Sequence, residues 1–330
     1  MAAARVPLST TRLNVIAPIG APLTTVAAVG LTVDEPDAVA AIGVRTGANA
    51  KPTLELRTPS GDPIGFVKLA WNAATDEALA NEAQMIGDAQ AAGTGAIRIP
   101  KVRESGFVDG RRFVMTEALP RSIRDVPARW DSLRRDEEWG PGTIVGRAPL
   151  SSLAQVRTTI AHAATMSDVT PPSLSEPLRA AASAVADADL IVTVADFSHG
   201  DFVPWNVGRD AGGNLWLFDW ETAQRDAPAG LDTLHWFANT TGPRRDDSLA
   251  GRVAAAADRS EPVLRSLGHT PEGASAVSAW YAIALVLGEV RLAEAGQGWA
   301  RSRHSPAALE ALLVWAQERL TSSILERSRS

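Results

Sequence analysis

The chain has 330 residues, 45% of them hydrophobic and 21% charged, with a net charge of −6. That is enough chain for a sizeable core, in one large domain or two lobes. The acidic balance argues against a nucleic-acid surface, which wants a basic patch. The lack of cysteine excludes disulfides, thiol nucleophiles and thiolate metal sites. It suits a reducing compartment, and a cytoplasmic location is expected.

The first segment of note, Leu13–Val33, has no charged residue and follows Arg5 and Arg12, as a signal peptide or membrane span would. Pro18, Pro22, Gly20, Gly30, Thr24 and Thr25 interrupt it, so an irregular arm is expected and no membrane. Three strands follow at Ala38–Val44, Pro52–Thr58 and Ile64–Leu69, the last two joined by the turn Pro59-Ser60-Gly61-Asp62-Pro63. The spacing of Leu79, Glu82, Ala83 and Ile86 predicts a helix over Asp76–Ala91. Strands are expected at Val102–Val108 and Arg112–Thr116, with a tight Asp109-Gly110 turn between them.

Beyond Leu119 the character changes. Trp130–Trp139 is densely charged and reads as a solvated loop or short helix, followed by helices at Leu153–Met166 and Glu176–Ala188. The apolar run Leu190–Val194 leads into Asp196-Phe197-Ser198-His199. Gly212-Gly213 turns the chain between Val207 and Leu215–Phe218, a small hairpin. The remainder reads as helical, with Ser278–Ala295 buried and Ser305-Pro306 opening the last helix. Segregated strands and helices predict an α+β fold in two lobes: residues 1–118, an antiparallel sheet with one helix, and residues 119–330, mainly helical. Met115–Pro120 is the natural hinge.

The chemistry concentrates in His199-Gly200-Asp201-Phe202-Val203-Pro204-Trp205-Asn206, where an aspartate and an asparagine sit five apart in an irregular stretch. Asp219 follows thirteen residues after Asn206, at the end of an apolar strand. Phosphoryl transfer needs one carboxylate to orient or deprotonate the attacking hydroxyl, and hard oxygen ligands for magnesium. Asp201 suits the first role, and Asn206 and Asp219 suit the second. The bland reading is that Asp201 and Asn206 cap a turn.

His-Gly-Asp followed by four residues and Asn resembles the catalytic loop of aminoglycoside phosphotransferases and choline kinase-like enzymes, the counterpart of the protein-kinase His-Arg-Asp loop. Phe218-Asp219-Trp220-Glu221 resembles that family's metal-binding segment, and Gly230-Leu231-Asp232 its brace of the catalytic loop. The resemblance implies a bilobal protein-kinase-like fold. It also implies transfer of the γ-phosphate of ATP, with Mg2+, to a small-molecule hydroxyl, with ATP between the lobes. The acceptor would be an aminoglycoside, amino sugar, sugar or amino alcohol. His199 then braces the loop, although a histidine there is also read as a general base.

Lys68, one of three lysines, lies in the apolar strand Gly65–Ala70, where its charge is costly unless paired. The kinase scheme pairs it with the phosphates and a helix glutamate. Glu82, fourteen residues on, is the candidate, and Glu77 in the first helical turn competes. The competing reading of Lys68 is an outward-facing residue on an edge strand. Gly43–Lys51 is positioned to cover phosphates, and the backbone of Thr116–Leu119, through Glu117 and Leu119, to meet adenine. Trp205, Trp220 and Trp236 read as core or as a pocket for a sugar or cation. Glu221, Asp226 and Asp246-Asp247 read as a solvated face or as contacts for an amine. The scattered His162, His235, His269 and His304 show no metal spacing. A nucleotide-binding pseudoenzyme or scaffold is the alternative, opposed by Lys68, Asp201, Asn206 and Asp219 occurring together.

Overall fold

A computed structural model of the chain describes residues 37–43, 51–188, 190–240, 248–294, 298–299 and 302–327. The expected arm Leu13–Val33, residues 44–50 of the expected phosphate loop, and Asp246-Asp247 lie outside the described residues.

The chain divides into two compact units. The first is built on β1 (Val39–Gly43), β2 (Thr53–Arg57), β3 (Pro63–Leu69), helix α1 (Ala73–Ala92), Arg98 of the two-residue β4 (Ile97–Arg98), β5 (Val102–Val108) and β6 (Arg111–Glu117). Its antiparallel sheet runs in the order β1-β2-β3-β6-β5. Period-two alternation sorts the side chains. Leu54, Leu56, Val67, Leu69, Phe113 and Met115 fill one face, while Val114 and Ala70 meet Leu79 of α1 on the other. The expected Asp109-Gly110 turn is present, both residues holding positive φ. Gly65 is needed because β3 crowds β6: a Cβ there would stand 2.3 Å from the Thr116 carbonyl oxygen. Helix α1 starts three residues before the expected Asp76. Asn72 and Thr75 form a reciprocal cap, which outranks the first acidic residue as a start signal.

The strands β7 (Arg124–Asp125), β10 (Val207–Arg209) and β11 (Leu215–Leu217) join β4 in a second, four-stranded sheet in the order β4-β11-β10-β7. The sequence reading cut the chain once, between residues 118 and 119, and set the 207–218 hairpin with the helices. The compact units divide differently: residues up to Asp125, apart from Gly95–Ile97, group with Val207–Thr222. The cause is pairing, since Gly208 and Arg209 of β10 bond to Asp125 and Arg124 of β7.

The second unit holds β8 (Ile144–Pro149), α2 (Ala154–Ala164), α3 (Pro172–Asp187), β9 (Ile191–Ser198), β12 (Gln224–Pro228), α4 (Leu231–Thr240), α5 (Leu249–Ser266), α6 (Pro271–Leu292) and α7 (Pro306–Arg327). The three-stranded sheet β12-β9-β8 was not anticipated. β8 is mostly exposed and β12 carries Gln224, Arg225 and Asp226, so neither shows the apolar alternation of a half-buried strand. Among the described residues α6 is long and apolar enough to cross a membrane, but 78% of its apolar window is buried. It is the central core helix, packed on α7 and α5, and it starts seven residues before the expected Ser278 behind a Thr270 cap and Pro271.

His269, just before α6, is a core histidine. Its Nδ1 accepts the Thr193 amide (3.2 Å) and its Nε2 donates to the Ala229 carbonyl (3.0 Å). Burial pushes its pKa down from 6.5 to about 4. The unfolded chain therefore takes up this proton first as pH falls, and the native state does so only near the lower value. The stability tied to neutral His269 is present above pH 6.5 and lost progressively toward pH 4. We expect this group to contribute a fall of up to about 1.4 kcal/mol per pH unit across that window. Urea unfolding from neutral to acid pH should show that slope reduced in His269→Gln.

Candidate active site

The first unit gathers Lys68, Glu82 and Asp219. Alternation turns Lys68 away from the Val67 and Leu69 face toward α1, opposite Val114. There its Nζ reaches Glu82 Oε1 at 2.7 Å and Asp219 Oδ1 at 2.6 Å. β3 is a central strand, so the edge-strand reading of Lys68 fails. Glu77 is exposed on α1, and Glu82, one of its buried residues, makes the contact. Burial opposes the Lys68 charge, but Asp219, Glu82 and Glu221 outweigh it and raise its pKa above the ordinary lysine value.

Two residues join this group. Lys51 pairs with Glu221, and Asn81 Nδ2 of α1 donates to the Glu221 carbonyl (3.0 Å). Burial raises the Glu221 pKa and neighbouring Asp219 adds to the rise, against the pull of Lys68 and Lys51. Asp219 holds left-handed backbone, φ 73°, a strained choice for a residue with a side chain. Ligand oxygens of Glu82, Asp219 and Glu221 lie within 4.8 Å of one another. All are hard carboxylate donors, which suit Mg2+ or Ca2+ rather than a soft metal.

The second unit gathers His199, Asp201, Asn206 and Asp232. The Asp232 carboxylate accepts the Ser198 hydroxyl (3.1 Å), the His199 amide (2.8 Å) and the Gly200 amide (2.9 Å). Gly140 packs on it so closely that a Cβ would stand 2.8 Å from Asp232 Oδ2. His199 is fully buried and its Nδ1 accepts the Asp201 amide (3.3 Å), a bracing geometry. Asn206 Nδ2 donates to the Asp201 carbonyl (3.0 Å) and to Asp201 Oδ2 (2.7 Å), which leaves Asn206 Oδ1 as the atom to offer a metal. These two bonds are also those of a turn cap, the bland reading of the pair.

Sequence reasoning missed His235, whose Nε2 lies 3.1 Å from Asp201 Oδ1. The signal was present: His235 is one helical turn after Asp232, on the same face of α4. It also passed over the Lys51–Glu221 pair, whose partners are distant in sequence. Glu117 and Leu119 join neither group. The Glu117 amide donates to the Lys101 carbonyl (2.9 Å), and its carboxylate accepts the Lys101 amide (3.1 Å). Trp220 and Trp236 are buried core residues, whereas Trp205 is exposed beneath Arg303, 5.8 Å from its ring centre. Asp226 is exposed on β12.

No protein-family profile matches the chain, and no curated protein matches it by sequence. Solved structures do. The chain is similar to a mutant aminoglycoside 2'-phosphotransferase in complex with GDP, with TM-score 0.50 and 14% identity over 90% of this chain and 98% of that one. It also aligns with an amicoumacin kinase in complex with AMP-PNP and Ca2+, with TM-score 0.44 and 12% identity over 85% of this chain and 88% of that one. The first likeness shows the fold: the α+β, two-lobed, protein-kinase-like fold expected of the sequence.

Asp232 offers a direct test of the brace. In Asp232→Ala three donors, two of them buried, lose their acceptor, and we expect a loss of about 3 kcal/mol or more in urea unfolding. Asp232→Asn keeps one acceptor oxygen and should lose less.

Proposed function

We propose that the protein is an ATP-dependent phosphotransferase that moves the γ-phosphate of ATP to a hydroxyl of a small molecule: an aminoglycoside, amino sugar, sugar or amino alcohol. The observation that carries the reading is the pairing of Lys68 with both Glu82 and Asp219. A lysine costs much to bury, and two carboxylates from separate segments hold this one in place. That arrangement fits the lysine and helix-glutamate pair, and the nearby metal-binding aspartate, that kinase chemistry uses. The Asp201–Asn206 bond in the second unit supports it independently.

In this reading Lys68 binds phosphate oxygens and Glu82 sets its position. Asp219 and Asn206 are the residues that would hold Mg2+, and the ion would supply charge neutralisation at the phosphoryl group. Asp201 receives the acceptor hydroxyl. A bond forms from the hydroxyl oxygen to the γ-phosphorus, the bond from that phosphorus to the ADP oxygen breaks, and the hydroxyl proton passes to Asp201. His199 acts as a brace, since its Nδ1 is engaged by the Asp201 amide. Fold likeness to a phosphotransferase is consistent with this chemistry, and GTP is a donor to test beside ATP because that relative carries GDP.

The decisive assay is ADP release with ATP and Mg2+ over aminoglycosides, amino sugars, monosaccharides and choline. Asp201→Asn should cut turnover on the acceptor found by about 10²–10⁴-fold and leave nucleotide binding in place. Intact turnover in that variant sinks the proposal. Asp219→Ala should abolish Mg2+-dependent nucleotide binding in calorimetry, and unchanged binding removes Asp219 from the metal site.

A further inference from the structure

The carboxylate of Asp201 is held from both sides. Asn206 Nδ2 binds Oδ2 at 2.7 Å, and His235 Nε2 faces Oδ1 at 3.1 Å. Behind the imidazole, Nδ1 lies 3.0 Å from the hydroxyl of Tyr281 on α6, and the two rings meet edge to face with centroids 5.8 Å apart. Helix α4 follows the catalytic loop in step. Asp232 holds residues 198–200, His235 meets Asp201, and Trp236 packs on Phe202 with ring centroids 5.3 Å apart.

The donors and acceptors in this chain admit one assignment for a neutral imidazole. An ionised carboxylate only accepts, so Nε2 must carry the hydrogen toward Asp201. Nδ1 is then an acceptor, and the Tyr281 hydroxyl must donate to it. Burial, with the nearby Asp201 charge adding to it, raises the Tyr281 pKa well above the ordinary value, so the phenol keeps the proton it donates.

We infer that Tyr281 and His235 form a positioning relay behind Asp201, in which the Tyr281 hydroxyl selects the Nε2–H tautomer of His235 and that N–H fixes the carboxylate. The inference rests on the reading of Asp201 as the residue that receives the acceptor hydroxyl. With an N–H on each oxygen, rotation of the carboxylate is restrained. Near-attack geometry is then set before the acceptor binds. His235 is a positioning residue here. It does not take the proton.

Two measurements decide it. The first needs no activity. Long-range proton–nitrogen correlation spectra of ¹⁵N-histidine-labelled protein should show His235 in the Nε2–H form, shifting to a tautomer mixture in Tyr281→Phe. An Nδ1–H form in the unaltered protein overturns the relay. The second is kinetic, with the acceptor from the ADP-release panel. His235→Ala should lower kcat at least about tenfold with the KM for ATP unchanged. His235→Gln, whose amide N–H can replace the imidazole donor, should recover part of the loss. An unchanged kcat in His235→Ala overturns the relay even when Asp201→Asn is inactive. If no acceptor is turned over and Asp201→Asn matches the unaltered protein, the phosphotransferase reading fails while the tautomer still reports on the relay.

Discussion

A positive charge on a central strand is the constraint around which the first unit is arranged. Lys68 stands between Val67 and Leu69, both turned into the sheet core, so its own side chain must leave by the other face. That face is covered by α1. A lysine under a helix is unfavourable unless carboxylates meet it, and two do, one from the helix and one 151 residues away in sequence. The hairpin carrying Asp219 accordingly belongs with the sheet, although the helical unit flanks it on both sides in the chain.

The second unit solves a different problem, that of an irregular loop whose backbone donors are buried. The Ser198 hydroxyl at the end of β9 and the His199 and Gly200 amides just beyond it all turn to the Asp232 carboxylate, which accepts all three. Because Asp232 lies in the first turn of α4, the helix is placed by that carboxylate. Its next turn then brings His235 and Trp236 against Asp201 and Phe202. A single acceptor thus sets the height of a helix along the loop, and the helix period of 3.6 residues does the rest.

Both groups combine strain with support. Asp219 in left-handed backbone is disfavoured locally, and Trp220 beside it is fully buried with its indole N–H on the Leu217 carbonyl (3.1 Å). Gly140, also at positive φ, lets the chain lie against Asp232 where a Cβ would collide. These positions over-determine the carboxylates they flank, which is the usual condition for holding strained residues at a working site.

Much of this was legible in the residues. Strand alternation and the Asp109-Gly110 turn carried the sheet, and the resemblance of His199–Asn206, Phe218–Glu221 and Gly230–Asp232 to a kinase family carried the choice of Lys68, Glu82, Asp201, Asn206, Asp219 and Asp232 as candidates. These are local signals, governed by periods of two and 3.6 residues and by turn chemistry. The sheet β12-β9-β8, the allegiance of the 207–222 hairpin, the Lys51–Glu221 pair and the Tyr281–His235–Asp201 contacts were not. Each depends on which distant segments pair, and a strand such as β8, exposed over most of its length, leaves no alternating pattern to read. The sequence offered the carboxylates and the lysine as candidates because the motifs that carry the resemblance are local. Only tertiary structure decided which nitrogen faces which oxygen, because partners 34 and 46 residues apart meet through packing alone.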